Sequence, residues 1–360
     1  MSLPDLRKNP SKTEQIISAE EMRNYFSLKD KLPAEVFDVI RDWKEGRPFF
    51  KFKTSGSTGA PKDLEISRER ILKSAQKSIK FLNLHSGLTA LLALKLDYIA
   101  GFMVLIRALE AGMDLHYFPP SSDPFEKLNP HKNYFAALVP LQVHSLLHKK
   151  YDLKNFHSIL IGGAALNYDL KKKLETLHYP VYESYGMTET VSHIALKKLN
   201  QKDKSDRFKI LENVEIDIDE RSCIKIKADV TNNCWIKTND IVEIYSKYEF
   251  SLLGRIDDVI NSGGIKIYPL QLEELIQEKA DGLLEHKEFV ISSKPDELLG
   301  EKAVLVIEGK SPYDEYVDEL LDSLTGIQRY LIPKEIVFLN KLPRTNSGKI
   351  QRKGVINALA

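Results

Sequence analysis

The sequence contains little cysteine and no excess of charge of either sign. Its two cysteines, Cys223 and Cys234, cannot build a disulfide framework and form no CxxC pair, so reduced thiols are expected. Against 52 lysines and arginines stand 51 aspartates and glutamates, which gives a formal net charge of +1. Because this balance lacks the basic excess that neutralises nucleic-acid phosphates, we expect no nucleic-acid partner.

Long apolar runs that are free of charge are also missing. The most apolar stretch, residues 88–109, contains Lys95, Asp97 and Arg107, which a membrane span tolerates poorly. A buried strand followed by a helix fits this stretch better. The first fifteen residues are polar and lack the apolar segment of a secretory signal. The sequence therefore predicts a cytoplasmic protein without membrane insertion.

The composition that remains is typical of a globular enzyme, with 42% hydrophobic and 29% charged residues among 360. Helix-like and strand-like segments alternate through the first two thirds of the chain. This alternation predicts helices over residues 67–82, 99–110 and 140–149, and strands over residues 89–94, 113–118, 134–139, 156–161 and 181–184. Such an order indicates a layered α/β domain with mainly parallel strands.

The pattern changes twice in the second half of the chain. From about Ile210 apolar and polar residues alternate at period two, which predicts antiparallel strands. After Arg255 a compact βαββαβ-like order follows, ending in a strand over residues 335–339. We therefore expect a large layered α/β domain over residues 1–254 and a small α+β domain over residues 255–360.

A glycine-rich segment, residues 54–62, carries the strongest local signal. Its hydroxyl, glycine and lysine residues are Thr54, Ser55, Gly56, Ser57, Thr58, Gly59 and Lys62. Glycines let backbone N–H groups approach a phosphate, hydroxyls donate to its oxygens, and the lysine adds a positive charge. The order matches neither G-x-x-x-x-G-K-[ST] nor G-x-G-x-x-G. Phosphate binding is predicted, with a serine- and glycine-rich surface turn as the alternative.

A second segment, residues 183–190, follows a short apolar strand. It therefore lies at the C-terminal end of a strand, where ligands bind in open α/β sheets. Tyr185 can stack on a base, and Thr188 and Glu189 can hold a phosphate and a Mg²⁺ ion. Taken alone, the segment is more typical of an acidic cap on a following helix.

Two further segments lie in the last third of the chain. Residues 254–269, GRIDDVINSGGIKIYP, combine charge, paired glycines and a proline at the predicted domain boundary, which suits a hinge. An ordinary hairpin with a two-glycine turn is the alternative. Residues 342–352, LPRTNSGKIQR, are basic, and a solvated tail is their simplest interpretation when they are taken alone.

In this order the four segments resemble the signature motifs of the adenylate-forming superfamily, which includes acyl-CoA synthetases, luciferases and peptide-synthetase adenylation domains. The resemblance spans about residues 54–349. It implies a two-step reaction that uses ATP, Mg²⁺ and a small-molecule carboxylate. The carboxylate attacks the α-phosphate of ATP and releases pyrophosphate. A thiol, usually that of coenzyme A, then takes the acyl group from the adenylate and releases AMP.

The resemblance also implies roles for the phosphate-binding and catalytic residues. Residues 54–62 would hold the β- and γ-phosphates. Thr188 would contact the α-phosphate, and Glu189 would bind the Mg²⁺ ion. Lys349 would stabilise the adenylation transition state. Developing negative charge in both steps calls for placed cations and N–H donors more than for a protein nucleophile.

Further matches concern the nucleoside and the lid, the small domain that swings between the two steps. The implied adenine and ribose contacts are Gly162, Gly163, Ala164, Tyr185, Gly186, Asp240 and Arg255. The family usually has glycine before the ribose-binding aspartate, and Asn239 is expected to replace it in a left-handed conformation. Asp257 matches the hinge of the lid. Gly263, Gly264 and Lys266 match the segment that enters the site for the thiolation step.

The chain has only about fifty residues before the glycine-rich segment, whereas a typical superfamily member has well over a hundred. Short versions occur among the 2-succinylbenzoate–CoA ligases of menaquinone biosynthesis. Residues 97–107 resemble the F-H-x-x-G segment and the following arginine of those ligases, with Tyr98 in place of the usual aromatic or histidine. Arg107 would face the second carboxylate of the acid, and Ser192 and His193 would line the acyl pocket. For Arg107, a side chain that reaches the helix edge is an equal alternative.

Other functions stay open at this point. Another aryl- or acyl-CoA ligase is the nearest alternative, and an enzyme that loads a carrier protein is the next. From a different class, a short chain could be a non-catalytic nucleotide-binding module. Against this, Lys62, Glu189, Asp240 and Lys349 are all present. An apolar face left by the short N-terminal region could be covered by a second subunit, so a homo-oligomer is also considered.

Overall fold

The computed structural model describes residues 14–53, 63–149, 151, 155–164, 166, 168–284, 287–344 and 350–359. Within these ranges the chain forms a sheet of twelve strands, a second sheet of five strands and a separate two-stranded hairpin. The predicted mixed α/β architecture is confirmed. No helix in the described part of the chain is long and apolar enough to cross a membrane.

The first half of the large sheet is parallel. Its five parallel strands lie in the order β5-β4-β6-β7-β8. They are β4 (Thr89–Leu92), β5 (Asp114–Tyr117), β6 (Tyr134–Leu138), β7 (Phe156–Ile161) and β8 (Val181–Met187). At the outer edge β1 (Gln15–Ile17) pairs with β5 antiparallel. The carboxyl ends of the five parallel strands therefore meet at one edge of the sheet.

Helices cover both faces of this parallel part, which explains why its strands are almost continuously apolar. They are α1 (Ala19–Arg23), α2 (Ala34–Lys44), α3 (Arg68–Leu82), α4 (Ile99–Ala111), α5 (Pro140–His148) and α6 (Tyr168–Leu174). Alternation along β4 sends Ala90 and Leu92 into the core with α2 and α4, and Leu91 into the core with α5 and α6. One layer of helices thus packs on each side of the sheet.

The local sequence accounts for the two helices nearest the predicted site. The Ser67 hydroxyl caps α3 by accepting from the Arg70 N–H at 3.4 Å, and Asn83 ends the helix in a left-handed conformation. Helix α4 is apolar on all sides and is buried from Gly101 to Ala108. Gly101 is required there because a Cβ atom would overlap the backbone oxygen of Lys95.

The second half of the large sheet is antiparallel, in the order β8-β9-β10-β14-β13-β12-β11. The strands are β9 (Ser192–Lys198), β10 (Phe208–Ile210), β11 (Val214–Ile218), β12 (Cys223–Ala228), β13 (Ile236–Ser246) and β14 (Glu249–Arg255). The period-two pattern therefore predicts β11 to β14 correctly. A separate hairpin of β2 (Phe49–Lys53) and β3 (Asp63–Ser67) encloses residues 54–62, which lie outside the described residues.

The five-stranded sheet contains β15 (Ile260–Ser262), β16 (Ile265–Ile267), β17 (Phe289–Asp296), β18 (Gly300–Glu308) and β19 (Glu335–Leu339). The helices that accompany it are α7 (Pro269–Lys279), α8 (Asp281–Leu284), α9 (Tyr316–Ser323) and α10 (Arg352–Leu359). The large sheet ends with β14 and the small sheet begins with β15, on either side of a 3₁₀ helix, Ile256–Asp258. The division into domains 1–254 and 255–360 stays a prediction.

Candidate active site

The ends of β7 and β8 bring two of the predicted segments together. The Ser184 hydroxyl donates to the carbonyl oxygen of Ile161 at 2.9 Å. A Cβ atom at Gly162 would collide with this hydroxyl, so the glycine permits the close approach of the two strand ends. Gly163 follows with a φ of 87°, and Ala164 comes next. The predicted adenine segment therefore lies beside the segment that begins at residue 183.

Gly186 allows an equally close approach between β8 and β9. A side chain there would overlap the carbonyl oxygen of Ser192 and the Cα atom of His193. The pairing register shifts between Tyr185 and Gly186, as in a β-bulge. Such bulges redirect the side chains on either side of them.

We expect Gly186→Ala to destabilise the protein by at least about 1–3 kcal/mol, because the overlapping atoms belong to backbone that cannot move aside. Thermal denaturation measures this effect. Gly282→Ala is the matched control, since nothing lies within 4 Å of a Cβ atom at that position. Equal melting temperatures for the two variants would contradict the account.

Helix α3 holds the segment that carries Thr188 and Glu189. This segment is a 3₁₀ helix, Thr188–Thr190, directly after β8. Arg70 donates to the carbonyl oxygen of Glu189 at 2.8 Å, and the Ser74 hydroxyl donates to that of Val191 at 2.7 Å. These contacts stabilise an unusual backbone, in which Val191 has a φ of 56° and Ser192 a φ of 100°. Strain of this kind is concentrated at functional sites.

A chain of hydrogen bonds joins the predicted nucleoside residues. The Tyr185 hydroxyl donates to Asp240 Oδ2 at 2.7 Å, and Arg255 Nη1 lies 3.1 Å from Asp240 Oδ1. Both carboxylate oxygens of Asp240 are therefore oriented by the protein. Burial, followed by the charge of Asp240, raises the pKa of Tyr185 well above its ordinary value. Tyr185 is only 7% exposed and packs against Phe208 and Phe250, and its stacking on adenine stays a prediction.

One expectation about this region is wrong. Asn239 lies inside β13 and does not have a positive φ, so it does not form a left-handed turn before Asp240. Its side chain instead donates to Asp257 Oδ2 at 3.1 Å. Asp257 Oδ2 also accepts a hydrogen bond from Arg255 Nη2 at 3.0 Å. The residue next to the predicted ribose contact is thus bound to the predicted hinge.

The acyl-pocket prediction is partly reflected in the geometry. Arg107 on α4 is 1% exposed and donates through Nη2 to the Ser192 hydroxyl at 3.2 Å. The adjacent ring of His193 is also buried, and its Nε2 lies 3.0 Å from the Ser78 hydroxyl. Tyr98, in contrast, is 43% exposed and is the N-cap residue of α4. It therefore lies about 13 Å from Arg107 along the helix axis. The structure therefore groups three of the four predicted residues.

Arg107 is a buried cation with an unused donor. Its Nε atom has no hydrogen-bond partner among the described residues. Burial lowers the pKa of Arg107 to about 9, and no carboxylate among the described residues opposes that shift. A buried guanidinium without a counter-charge is costly, because charged groups inside proteins are normally paired. An anion that binds beside Arg107 would supply the missing partner.

His193 is predicted to contribute to the pH dependence of stability. Burial, and then the positive charge of Arg107, holds the pKa of His193 well below its ordinary value of 6.5. The unfolded chain therefore binds this proton more readily than the folded protein. The stability linked to neutral His193 is complete above about pH 6.5 and is lost as the pH falls through the lower, folded-state pKa.

We expect the melting temperature of His193→Gln to fall less between about pH 7 and pH 5 than that of the unchanged protein. Glutamine keeps an N–H donor for Ser78 but binds no proton. Parallel melting curves for the two proteins would contradict this prediction. Other buried histidines such as His116 contribute equally to both proteins and cancel in the comparison.

The remaining predicted residues divide into two groups. Lys349 and residues 54–62 lie outside the described residues, although the strands around the latter place Lys53 opposite Asp63. The N–H of Lys53 also donates to the carbonyl oxygen of Asp97 at 3.4 Å, so this hairpin ends beside the start of α4. In the small sheet, Gly263, Gly264 and Lys266 lie on the exposed hairpin of β15 and β16.

Glu189 can serve as a magnesium ligand without a dedicated protein cage. Within the described ranges, no group of three or more histidine, cysteine, aspartate or glutamate side chains could hold a metal ion. Mg²⁺ usually binds through one or two carboxylates and completes its shell with water and substrate phosphates. A single carboxylate after β8 suits that mode, in which Glu189 would hold the ion and the ion would neutralise phosphate charge.

Comparison with known proteins shows the family to which this chain belongs. The family model described as AMP-binding enzyme matches residues 3–244, which are two thirds of the chain. The chain belongs to the AMP-binding enzyme family. Among curated proteins, this AMP-binding enzyme is similar to the 2-succinylbenzoate–CoA ligase of Listeria monocytogenes serotype 4b (strain F2365), with 29% identity over 87% of this chain and 71% of that one. The ligase of Bacillus subtilis (strain 168) is also 29% identical, over 85% of this chain and 68% of its own.

Solved structures that resemble this chain include two enzymes of the same kind. An acyl-CoA synthetase (AMP-forming)/AMP-acid ligase II-like protein from Dyadobacter fermentans DSM 18053 has 34% identity and a TM-score of 0.63, over 97% of this chain and 100% of that one. The o-succinylbenzoate CoA synthetase of Bacillus subtilis, solved with an acyl-adenylate intermediate, has 25% identity and a TM-score of 0.70, over 85% of this chain and 68% of that one. The predicted superfamily and the class of AMP-forming acid–thiol ligases are confirmed.

Sequence reasoning missed the supporting residues on α3. Arg70, Ser74 and Ser78 are spaced four apart, so they share one face of the helix, and all three bind the strained segment or His193. The available signal was the position of Ser74 and Ser78 on the same helical face as the apolar residues of α3. Their partners are more than a hundred residues away in sequence, so the spacing alone could not identify them.

Proposed function

We propose that this AMP-binding enzyme converts 2-succinylbenzoate, ATP and CoA into 2-succinylbenzoyl-CoA, AMP and pyrophosphate through an acyl-adenylate. ATP and CoA are the co-substrates of an AMP-forming acid–CoA ligase, and Mg²⁺ is its cofactor. The names of the curated relatives support the choice of acid. The observation that carries it is the buried guanidinium of Arg107, whose Nε has no hydrogen-bond partner among the described residues. A cytoplasmic location and a homo-oligomer stay predictions.

A dicarboxylic acid accounts for Arg107 better than a monocarboxylic acid does. One carboxylate is consumed by adenylation and becomes an acyl group. The other keeps its charge throughout and needs a buried counter-charge or hydrogen-bond donors. Arg107 Nη2 is directed to Ser192, whereas its buried Nε has no acceptor among the described residues, and an oxygen of the second carboxylate would supply one. His193 does not compete for that anion, because its pKa is held well below the ordinary value and the neutral imidazole is favoured.

The protein's contribution to the chemistry is positioning and charge stabilisation. In the first step a carboxylate oxygen bonds to the α-phosphorus of ATP and the bond to pyrophosphate breaks. Tyr185 and Arg255 orient the carboxylate of Asp240. This carboxylate would accept hydrogen bonds from the ribose hydroxyls and fix the position of the nucleotide. Thr188 would donate to the α-phosphate. In the second step the CoA sulfur bonds to the acyl carbon and AMP leaves.

The test is thioester formation from purified protein, ATP, Mg²⁺ and a panel of acids, with AMP and pyrophosphate both quantified. The panel pairs 2-succinylbenzoate with benzoate and with a fatty acid, which lack the second carboxylate. We expect 2-succinylbenzoate to be the preferred acid. Preference for an acid with one carboxylate would overturn the proposed substrate and leave the ligase chemistry in place.

The same assay separates the alternatives. Pyrophosphate release without a CoA thioester, followed by loading of a phosphopantetheinylated carrier protein, would change the acceptor from CoA to a carrier. Binding of ATP and Mg²⁺ that raises the melting temperature, with no pyrophosphate from any acid, would support a non-catalytic nucleotide-binding module.

A further inference from the structure

The predicted hinge carboxylate is held by a side chain of the large sheet. Asn239 on β13 donates through Nδ2 to Asp257 Oδ2 at 3.1 Å. Asp257 lies in the short 3₁₀ helix between the two sheets. A hydrogen bond to a charged carboxylate is stronger than one between neutral groups. Rotation of the small domain about Asp257 would stretch or break this bond, because Asn239 belongs to the large sheet.

The orientation of the Asn239 amide is fixed by Arg221. Arg221 Nη1 donates to Asn239 Oδ1 at 2.8 Å, and an arginine can only donate. The amide oxygen therefore faces Arg221, and the amide nitrogen faces Asp257. Arg221 is itself held by Asp219 Oδ2 at 2.7 Å and by the carbonyl oxygen of Thr238 at 2.6 Å. The amide is thus pre-oriented toward the hinge.

The same carboxylate is linked to the nucleotide site. Asp257 Oδ2 also accepts from Arg255 Nη2 at 3.0 Å, while Arg255 Nη1 donates to Asp240 Oδ1 at 3.1 Å. The hinge residue Asp257 is therefore bound directly to Asn239 and is linked through Arg255 to the next residue in the chain, Asp240. The ribose-binding carboxylate and the hinge carboxylate therefore share one hydrogen-bond network.

We propose that Asn239, oriented by Arg221, is a positioning residue that holds the hinge in the observed orientation and so sets the balance between adenylation and thiolation. The proposal rests on the proposed two-step function, in which the lid takes a different orientation for each step. A bond that exists in one orientation favours that orientation at the expense of the other. Losing it shifts the ratio of the two orientations about two- to tenfold, the range expected for a single hydrogen bond.

Half-reaction kinetics test the proposal. Asn239→Ala removes the donor, and Asn239→Asp replaces it with a second negative charge beside Asp257. We expect one half-reaction to become faster and the other slower in both variants, with the larger change in Asn239→Asp. Adenylation is measured as pyrophosphate release, and thiolation as the reaction of preformed acyl-adenylate with CoA. Loss of general stability would slow both steps, so equal slowing, or no change in either rate, would overturn the proposal.

Lys237→Ala is the matched control. Lys237 lies two residues earlier on β13 and pairs with Glu220, in the same turn as Arg221, but both side chains are exposed and neither contacts the hinge. This variant should leave the ratio of the two half-reaction rates unchanged.

A distance measurement makes the result independent of turnover. Spin labels on the native, exposed Cys234 and on Leu298→Cys, whose leucine is 94% exposed, report the position of the small sheet relative to the large one. Cys223 is buried and is expected to stay unlabelled. We expect Asn239→Ala to broaden or shift the distance distribution. An unchanged distribution would refute the role of Asn239, whereas absence of adenylate formation by the unchanged protein would refute only the proposed function.

Discussion

Replacing Lys349 with alanine is expected to slow adenylate formation by about a hundred- to a thousandfold, the range seen when one pre-positioned electrostatic donor is removed from an active site. Lys349 is assigned to the charge that develops around the α-phosphorus as pyrophosphate leaves, and this charge arises only in the first step. Thiolysis of preformed acyl-adenylate by CoA should therefore change little. Rapid-quench measurement of both half-reactions gives the comparison.

The surroundings of Lys349 allow a matched control. Residues 345–349 lie outside the described residues, but Arg344 and Ile350 pair on either side of them. On β17 of the small sheet, Lys294 pairs with Glu335 at the start of β19. Lys294→Ala removes a lysine of the small sheet that has no assigned role in the reaction, so we expect it to leave both half-reaction rates unchanged. If Lys349→Ala slowed both half-reactions equally, or behaved like Lys294→Ala, the assigned role would be wrong.

Replacing Arg107 with leucine is expected to raise the KM for 2-succinylbenzoate about a hundredfold, because one partner of a buried charge pair is lost. The value of kcat should change less, since the second carboxylate does not take part in bond formation. Leucine fits the apolar surroundings of α4 and removes an unpaired buried charge, so we expect the folded protein to be at least as stable.

Substrate analogues extend this prediction to a thermodynamic cycle, in which the protein variant is combined with an altered substrate. The two monomethyl esters of 2-succinylbenzoate each block one carboxylate. The ester that blocks the activated carboxylate should be inert with every variant. The other ester should bind the unchanged enzyme about as weakly as the diacid binds Arg107→Leu, and should bind both proteins equally. An unchanged KM for the diacid in Arg107→Leu would show that Arg107 does not bind the second carboxylate.

Much of the fold follows from short-range pattern. The strand over Phe156–Ile161, the helix from Arg68 to Leu82 and the last strand, Glu335–Leu339, lie where the sequence predicts them. Each has a continuous apolar run, a capping serine or a clear period, so local preference and tertiary packing agree. The parallel order of the sheet follows from the alternation of helices and strands.

Other elements were not visible in the sequence. Strand β9 begins at Ser192, and both this residue and the preceding Val191 have a positive φ, which no propensity rule predicts for a valine or a serine. The residues after the 183–190 segment therefore form a strand of the large sheet and not the helix that the segment, taken alone, was expected to cap. The hairpin of β2 and β3 pairs segments on either side of the glycine-rich residues, and helix α10 follows the basic segment that had a solvated tail as its alternative.

In the candidate site, too, some features could be predicted from the sequence and others could not. The motifs identified Asp240, Arg255 and Asp257, and the structure connects these three by hydrogen bonds. It could not be inferred from sequence that Tyr185 would be buried with its hydroxyl on Asp240, because that contact joins β8 to β13 across the sheet. Asn239 was expected to replace a glycine conformationally, whereas its amide binds the hinge instead. Long-range side-chain contacts of this kind leave no periodic signal.

Trapping the intermediate tests the central claim most directly. Protein at substrate-level concentration is mixed with ATP, Mg²⁺ and 2-succinylbenzoate without CoA, and the products are identified by mass spectrometry. The account predicts that 2-succinylbenzoyl-AMP and pyrophosphate appear in equal amounts, and that adding CoA converts the adenylate into 2-succinylbenzoyl-CoA and AMP. Formation of ADP or phosphate in place of pyrophosphate, or no adenylate from this acid, would contradict it.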